Sequence, residues 1–197
     1  MADFDLKPGN NNDLAGDRPQ GSGSIAESCY EWIEGLIVSL IFVLLLFVFL
    51  FRANIVVIGD SMKPNYHDGN RLLISCLDRN FKRDDVVVIE ASGTKLNDRI
   101  IKRVIATEGQ TVDIDFQRGI VSVDGKELDE SAYIENGITK NQYDTNFPQK
   151  VPKGHIFVLG DNRTVSEDSR SSYVGMIDTR HVMGKVIYMI MPFKKPI

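Results

Sequence analysis

Apolar residues are arranged along this chain in two different ways. From Ile33 to Phe51 they form a nearly unbroken run, IEGLIVSLIFVLLLFVFLF, 19 residues with one charge, Glu34, near the start. The run has no polar face at the helical period, which separates it from the amphipathic helix of a soluble core. As a helix it spans about 28 Å, the thickness of a bilayer's hydrocarbon core. Beyond Arg52 the apolar runs are short and rich in β-branched residues: Ile55 to Ile58, Leu72 to Ile74, Val86 to Ile89, Ile100 to Ile105, Ile156 to Leu159 and Val186 to Ile190. Such runs predict strands. Val112, Ile114 and Phe116 alternate with polar residues, and after the turn Gln117-Arg118-Gly119 the segment Ile120 to Val123 leads to Asp124-Gly125, the pattern of a hairpin.

The predicted architecture is therefore a mainly β body of antiparallel sheets, residues 53–197, preceded by one N-terminal transmembrane helix, residues 32–52. A hairpin-and-loop insertion is expected at about 107–153, least regular from about Glu135 to Lys153. Residues 1–31 hold four Gly, two Pro and three consecutive Asn with few apolar side chains, and are expected to form a disordered tail. The apolar run follows 32 residues with no basic leading region, so it reads as a permanent anchor rather than a cleaved leader.

Charge narrows the partners. The net charge is −4; residues 1–51 account for −5 of it and the rest of the chain for +1. A nearly neutral body lacks the basic stripe that nucleic-acid binding requires. Cys29 and Cys76 flank the apolar run, which excludes a disulfide framework, and no spacing of ligand residues suggests a metal. No metal or organic cofactor is implied. Arg18 is the nearest basic residue before the helix while Arg52 and Lys63 follow it, a weak lean toward a cytoplasmic body.

Nucleophilic catalysis needs a hydroxyl or thiol, a base and donors for an oxyanion. The three histidines, His67, His155 and His181, sit in a turn or at strand edges and read as structural, and Gly59-Asp60-Ser61-Met62-Lys63 does not match a Gly-x-Ser-x-Gly elbow. A serine with a lysine base is the alternative. Three clusters suit it: Gly59 to Pro64, Lys102-Arg103-Val104-Ile105, and Gly160-Asp161-Asn162-Arg163 running on to Ser166, Asp168, Ser169 and Arg170.

With Asp84-Asp85-Val86-Val87, these blocks in this order after a single span closely resemble those of type I signal peptidases, from about Trp32 to Phe193. The resemblance implies a membrane-anchored serine endopeptidase with the family's β fold, shared with repressor autoproteases, that removes N-terminal signal peptides from exported preproteins. It places the nucleophile on Ser61 and the general base on Lys102. It implies that Ser166 orients the lysine amine, that Asp168 pairs with Arg170 around the dyad, and that Asp161 and Arg163 are framework. A lysine base must lose its proton near neutral pH, which burial promotes; on a strand Ile100 and Val104 share the face of Lys102, and Arg103 points the other way.

Three positions depart from the family pattern. Gly59 stands where some members carry a serine that completes the oxyanion hole, so backbone N–H groups, chiefly that of Ser61, are expected to serve. Asn65 replaces the usual threonine, and Ala106 to Gln110 replaces a turn that commonly ends in Gly-Asp. The resemblance further implies small residues one and three positions before the cut, pockets lined by Val57 and Ile101, an apolar surface against the lipid bilayer, a cytoplasmic N-terminus and an extracytoplasmic body; Met62, next to Ser61, is expected to line the same cleft. Two alternatives stand beside this reading: a Ser/Lys autoprotease of the repressor-cleaving kind, and a membrane-tethered module that binds extended peptides without cutting them.

Overall fold

The computed structural model describes residues 24–52, 54–90, 99–134 and 138–193. It divides into two compact units, Met1–Val48 and Phe49–Ile197. The first contains most of helix α1, Ser24–Arg52. Within it Cys29–Phe47, 19 residues, is long and apolar enough to cross a membrane, and none of that stretch is buried. The helix begins eight residues before the expected Trp32. Extending a helix that already exists needs no new nucleus, and Ser24-Ile25-Ala26-Glu27 has the Ser-x-x-Glu spacing that favours a helix start. The rest of the expected tail lies outside the described residues.

Among the described residues the second unit has eleven strands: β1 Asn54–Val56, β2 Arg71–Ser75, β3 Val86–Glu90, β4 Arg99–Thr107, β5 Thr111–Asp115, β6 Ile120–Val123, β7 Lys126–Glu127, β8 Gln149–Lys150, β9 His155–Leu159, β10 Ile177–Asp178 and β11 Val182–Met191. A seven-stranded sheet has the order β1-β2-β11-β3-β4-β9-β10 and a four-stranded one the order β7-β6-β5-β8. Every pairing is antiparallel. Each apolar run named from the sequence contributes to a strand, but β1 stops at Val56, so Val57 and Ile58 belong to the loop that follows.

The two sheets are patterned according to what covers them. In β3 the side chains of Val86 to Ile89 are all buried, because both faces of the large sheet are packed. Val86 and Val88 join a cluster with Met62, Leu72, Ile74 and Ile101, while Val87 and Ile89 join another with Val104, Ile156 and Val158. In β5, Val112 and Ile114 are buried and Asp113 and Asp115 exposed, so the small sheet keeps one face in water. Its apolar face closes on Ile105, Phe157 and Leu159. The expected insertion is thus this small sheet plus an irregular stretch, of which residues 135–137 lie outside the described residues.

Candidate active site

Ser61 lies in the loop from Val57 to Asn70, whose ends are tied together where β1 meets β2. The Val57 N–H donates to the Asn70 carbonyl (2.8 Å) and the Gly69 N–H to the Val57 carbonyl (3.0 Å). Gly59 has φ +86°, a left-handed conformation that favours glycine, and its N–H donates to Asp68 Oδ1 at 2.9 Å. Among the described residues Asp60 meets only the neighbouring Lys63 as an ion pair, 3.0 Å apart and largely in water.

Lys102, in the middle of β4, reaches this loop. Its Nζ donates to Ser61 Oγ at 2.9 Å, bringing together residues 41 apart in the chain. Strand alternation holds around it: Ile100 and Val104 pack in one cluster and Ile101 in another. The lysine is 3% exposed. Burial pushes its amine from 10.5 down to about 8, against the opposing pull of Asp168 and Asp161. The pair therefore combines a hydroxyl with an amine that loses its proton two to three pH units more readily than a solvated lysine.

The segment after β9 supports the pair from behind. The Asn162 N–H donates to the Ser61 carbonyl (3.0 Å), and Asn162 Nδ2 to that of Asp60 (3.2 Å). Gly160 leaves no room for a side chain: a Cβ there would overlap the Ser166 hydroxyl and approach the Ser61 carbonyl oxygen to 2.5 Å. Asp168 pairs with Arg170 at 2.8 Å, both fully buried, and also accepts from the Gly160 N–H at 3.0 Å. Arg170 donates onward to the carbonyls of Asn141, Arg163 and Ser166. Arg163 is bound to Glu130 at 2.6 Å, to Thr139 and to the Gly160 carbonyl.

Below the dyad a second buried network centres on Asp161. Arg103 grips it with two hydrogen bonds of 2.8 and 2.7 Å, lies over the Tyr133 ring and donates to the Asp84 carbonyl. Asn65 completes the set, donating to Asp161 Oδ2 (2.8 Å) and to the Tyr133 carbonyl (2.7 Å). The departure at position 65 thereby has a consequence: a threonine hydroxyl has one proton and could not make both bonds.

One sequence expectation is not met. The Ser166 hydroxyl is buried but among the described residues hydrogen-bonds neither Lys102 nor any other group; its position is set by packing over Gly160 and by its backbone, which Asn162, Tyr143 and Arg170 hold. Val57, Met62 and Ile101 do line a cleft of about 570 Å³ that ends at Ser61 and Lys102, but all three are nearly fully buried and belong to the core as well. Ile58, which sequence reasoning left inside a strand, and Val56 are exposed wall residues beside them. Gly160, Asn162 and Asp68 were also missed as supports; the Gly-Asp-Asn-Arg block was the available signal for the first two. Among the described residues no group of His, Cys, Asp and Glu could hold a metal ion.

Comparison with known proteins bears on this arrangement. The family model described as "Signal peptidase, peptidase S26" matches residues 29–191. The chain is 35% identical over 176 residues to signal peptidase I of Bacillus licheniformis, covering 85% of this chain and 91% of that protein. It is 35% identical over 162 residues to signal peptidase I P of Bacillus subtilis subsp. natto, covering 78% and 84%. A crystal structure of a signal peptidase I from Enterococcus faecalis V583 has 30% sequence identity and a TM-score of 0.41, covering 54% of this chain and 96% of that one.

Proposed function

The chain belongs to the signal peptidase family, peptidase S26, and on that premise we propose that it cuts signal peptides from exported preproteins with Ser61 as nucleophile and Lys102 as general base. Membership already makes it a serine peptidase and sets aside the non-cutting module. The observation that carries the mechanism is the 2.9 Å bond between Lys102 Nζ and Ser61 Oγ at a buried amine.

With the amine near 8, about a tenth of the molecules hold Lys102 neutral at pH 7. The neutral amine takes the Ser61 proton as Oγ bonds to the carbonyl carbon of the scissile peptide. The negative charge that develops on the carbonyl oxygen needs donors. Among the described residues nothing accepts from the Ser61 N–H, which leaves it for this role, whereas the Gly59 N–H is already held by Asp68. The Lys102 ammonium then protonates the leaving amine, the C–N bond breaks and an acyl-enzyme remains. Lys102, neutral again, removes a proton from water, whose oxygen attacks the ester and releases the acid and Ser61. Asp168 and Arg170 fix the segment that backs Ser61.

The cleft lined by Val57, Ile58, Met62 and Ile101 is the place for an extended peptide with small residues one and three positions before the cut. α1 anchors the enzyme in the membrane, with the N-terminus in the cytoplasm and the body outside. Val56 stands opposite Arg71, and Arg71 opposite Met191, so the exposed apolar residues Ile187, Tyr188 and Ile190 of β11, with Phe193 just after it, lie toward the strand-end edge of the sheet that Val56 shares beside the cleft. That edge suits a bilayer surface. The test is cleavage of a purified preprotein with an Ala-x-Ala site in detergent, followed by N-terminal sequencing. Wild type should cut after the second alanine and Ser61→Ala and Lys102→Ala should not; full activity in either variant would overturn the dyad.

A further inference from the structure

Past Ser61 there is a second groove, of about 630 Å³, that shares no lining residue with the first. The first cleft is walled by the residues that precede Ser61, Asn54 to Ile58; the second begins at Lys63, two residues after it, and continues along Asn162 and Thr164 to Lys140 and Asn141. The two are joined at the nucleophile, because Asn162 holds the carbonyls of both Ser61 and Asp60. A peptide with its leading residues in the first cleft and its scissile bond at Ser61 has this second groove ahead of it. The groove is also firmly built: Asn141 donates to the Thr164 carbonyl (2.7 Å), and Arg170 donates to the Asn141 carbonyl (3.0 Å).

Its charge is what gives it a preference. Asp161 lines the groove, but its carboxylate is fully buried and bound to Arg103 and Asn65. Arg163 lines it too and is likewise buried and committed to Glu130. Among the described lining residues the charges left at the surface are two lysines: Lys63, half exposed and paired on one side with Asp60, and Lys140, exposed and without an acidic partner among the described residues. We propose that this groove receives the first residues of the released mature segment and favours acidic side chains there, with Lys140 the principal and Lys63 the secondary contact. The proposal rests on the peptidase reading for the direction of the peptide.

The test uses the full-length enzyme in detergent and three versions of one preprotein that differ only in the second and third residues after the cut: Asp-Asp, Ser-Ser and Lys-Lys. Wild type should show kcat/KM higher for Asp-Asp than for Lys-Lys by roughly fivefold, the scale of exposed ion pairs, fading in 1 M salt. Lys140→Glu should reverse the order, and Lys63→Gln should only narrow it. Equal rates on all three substrates, or an order unchanged in Lys140→Glu, would overturn the proposal. Binding of the same substrates to Ser61→Ala, measured by fluorescence anisotropy, separates the two readings. Tighter binding of Asp-Asp with no cleavage by wild type would keep the groove and overturn the peptidase, and equal binding would overturn the groove.

Discussion

Lys102 and Arg103 are adjacent on β4, both cationic by nature and both almost completely buried, yet the two faces of the strand treat them in opposite ways. Burial works against the charge of each. At Arg103 the two hydrogen bonds and the charge of Asp161 outweigh it and hold the guanidinium above its ordinary range. At Lys102 no carboxylate among the described residues makes contact; the partner is a neutral hydroxyl, and the amine falls to about 8. A buried cation with a bidentate partner becomes a structural rivet, and one without becomes a base. Arginine suits the first task through its fixed fork, and lysine the second through its readiness to lose a proton.

That contrast yields expectations of decreasing size. Replacing Lys102 with Met should reduce kcat/KM by at least about a thousandfold, yet make the protein more stable at pH 7. The folded pKa of Lys102 lies below its unfolded value of 10.5, so the unfolded chain binds the proton more tightly. The resulting cost to folding is absent above about pH 10.5, grows as pH falls toward 8 and is full, at about 3 kcal/mol, below that. A Met side chain escapes it, so denaturant titrations should show Lys102→Met gaining stability at pH 7 and losing that advantage near pH 10. On the other face the sign reverses: Arg103→Ala leaves Asp161 buried without its partner and should cost about 3–5 kcal/mol, read as a lowered denaturation midpoint.

Gly160→Ala probes the support common to both faces. Its methyl group would displace Ser166 or the Ser61 carbonyl, so the folded protein should lose activity by about a hundredfold in kcat with KM little changed. Gly59→Ala meets no neighbouring atom and is strained only by its positive φ, which sets a loss of about 1–2 kcal/mol in stability. The smallest effect belongs to Arg118→Ala, which removes an exposed ion pair with Glu127; stability should change by less than about 1 kcal/mol.

The strands of the body were legible because Val86 to Ile89 and Ile100 to Ile105 have few alternatives once they are too short and too β-branched for helices. The pairing order was not, since β11 inserts between β2 and β3 from the far end of the chain. Ser61 and Lys102 were legible only through the blocks around them. Nothing in the spacing of two residues 41 apart says that a loop and a strand centre will meet. The fine support was least legible: the crowding at Gly160 and the double bond from Asn65 exist only when distant segments pack together. Ser166 shows the opposite failure, a role carried over by resemblance whose hydrogen bond is not formed here.

The most direct test of the central claim is the pH dependence of kcat/KM for preprotein cleavage by the wild-type enzyme. The rate should rise with pH through a half-maximum near 8, as Lys102 loses its proton, and Ser61→Ala should remain inactive at every pH. A half-maximum near 6.5 would point to a histidine base, and one near 10.4 to a solvated lysine; either would contradict the buried, unpaired Lys102 as the group that activates Ser61.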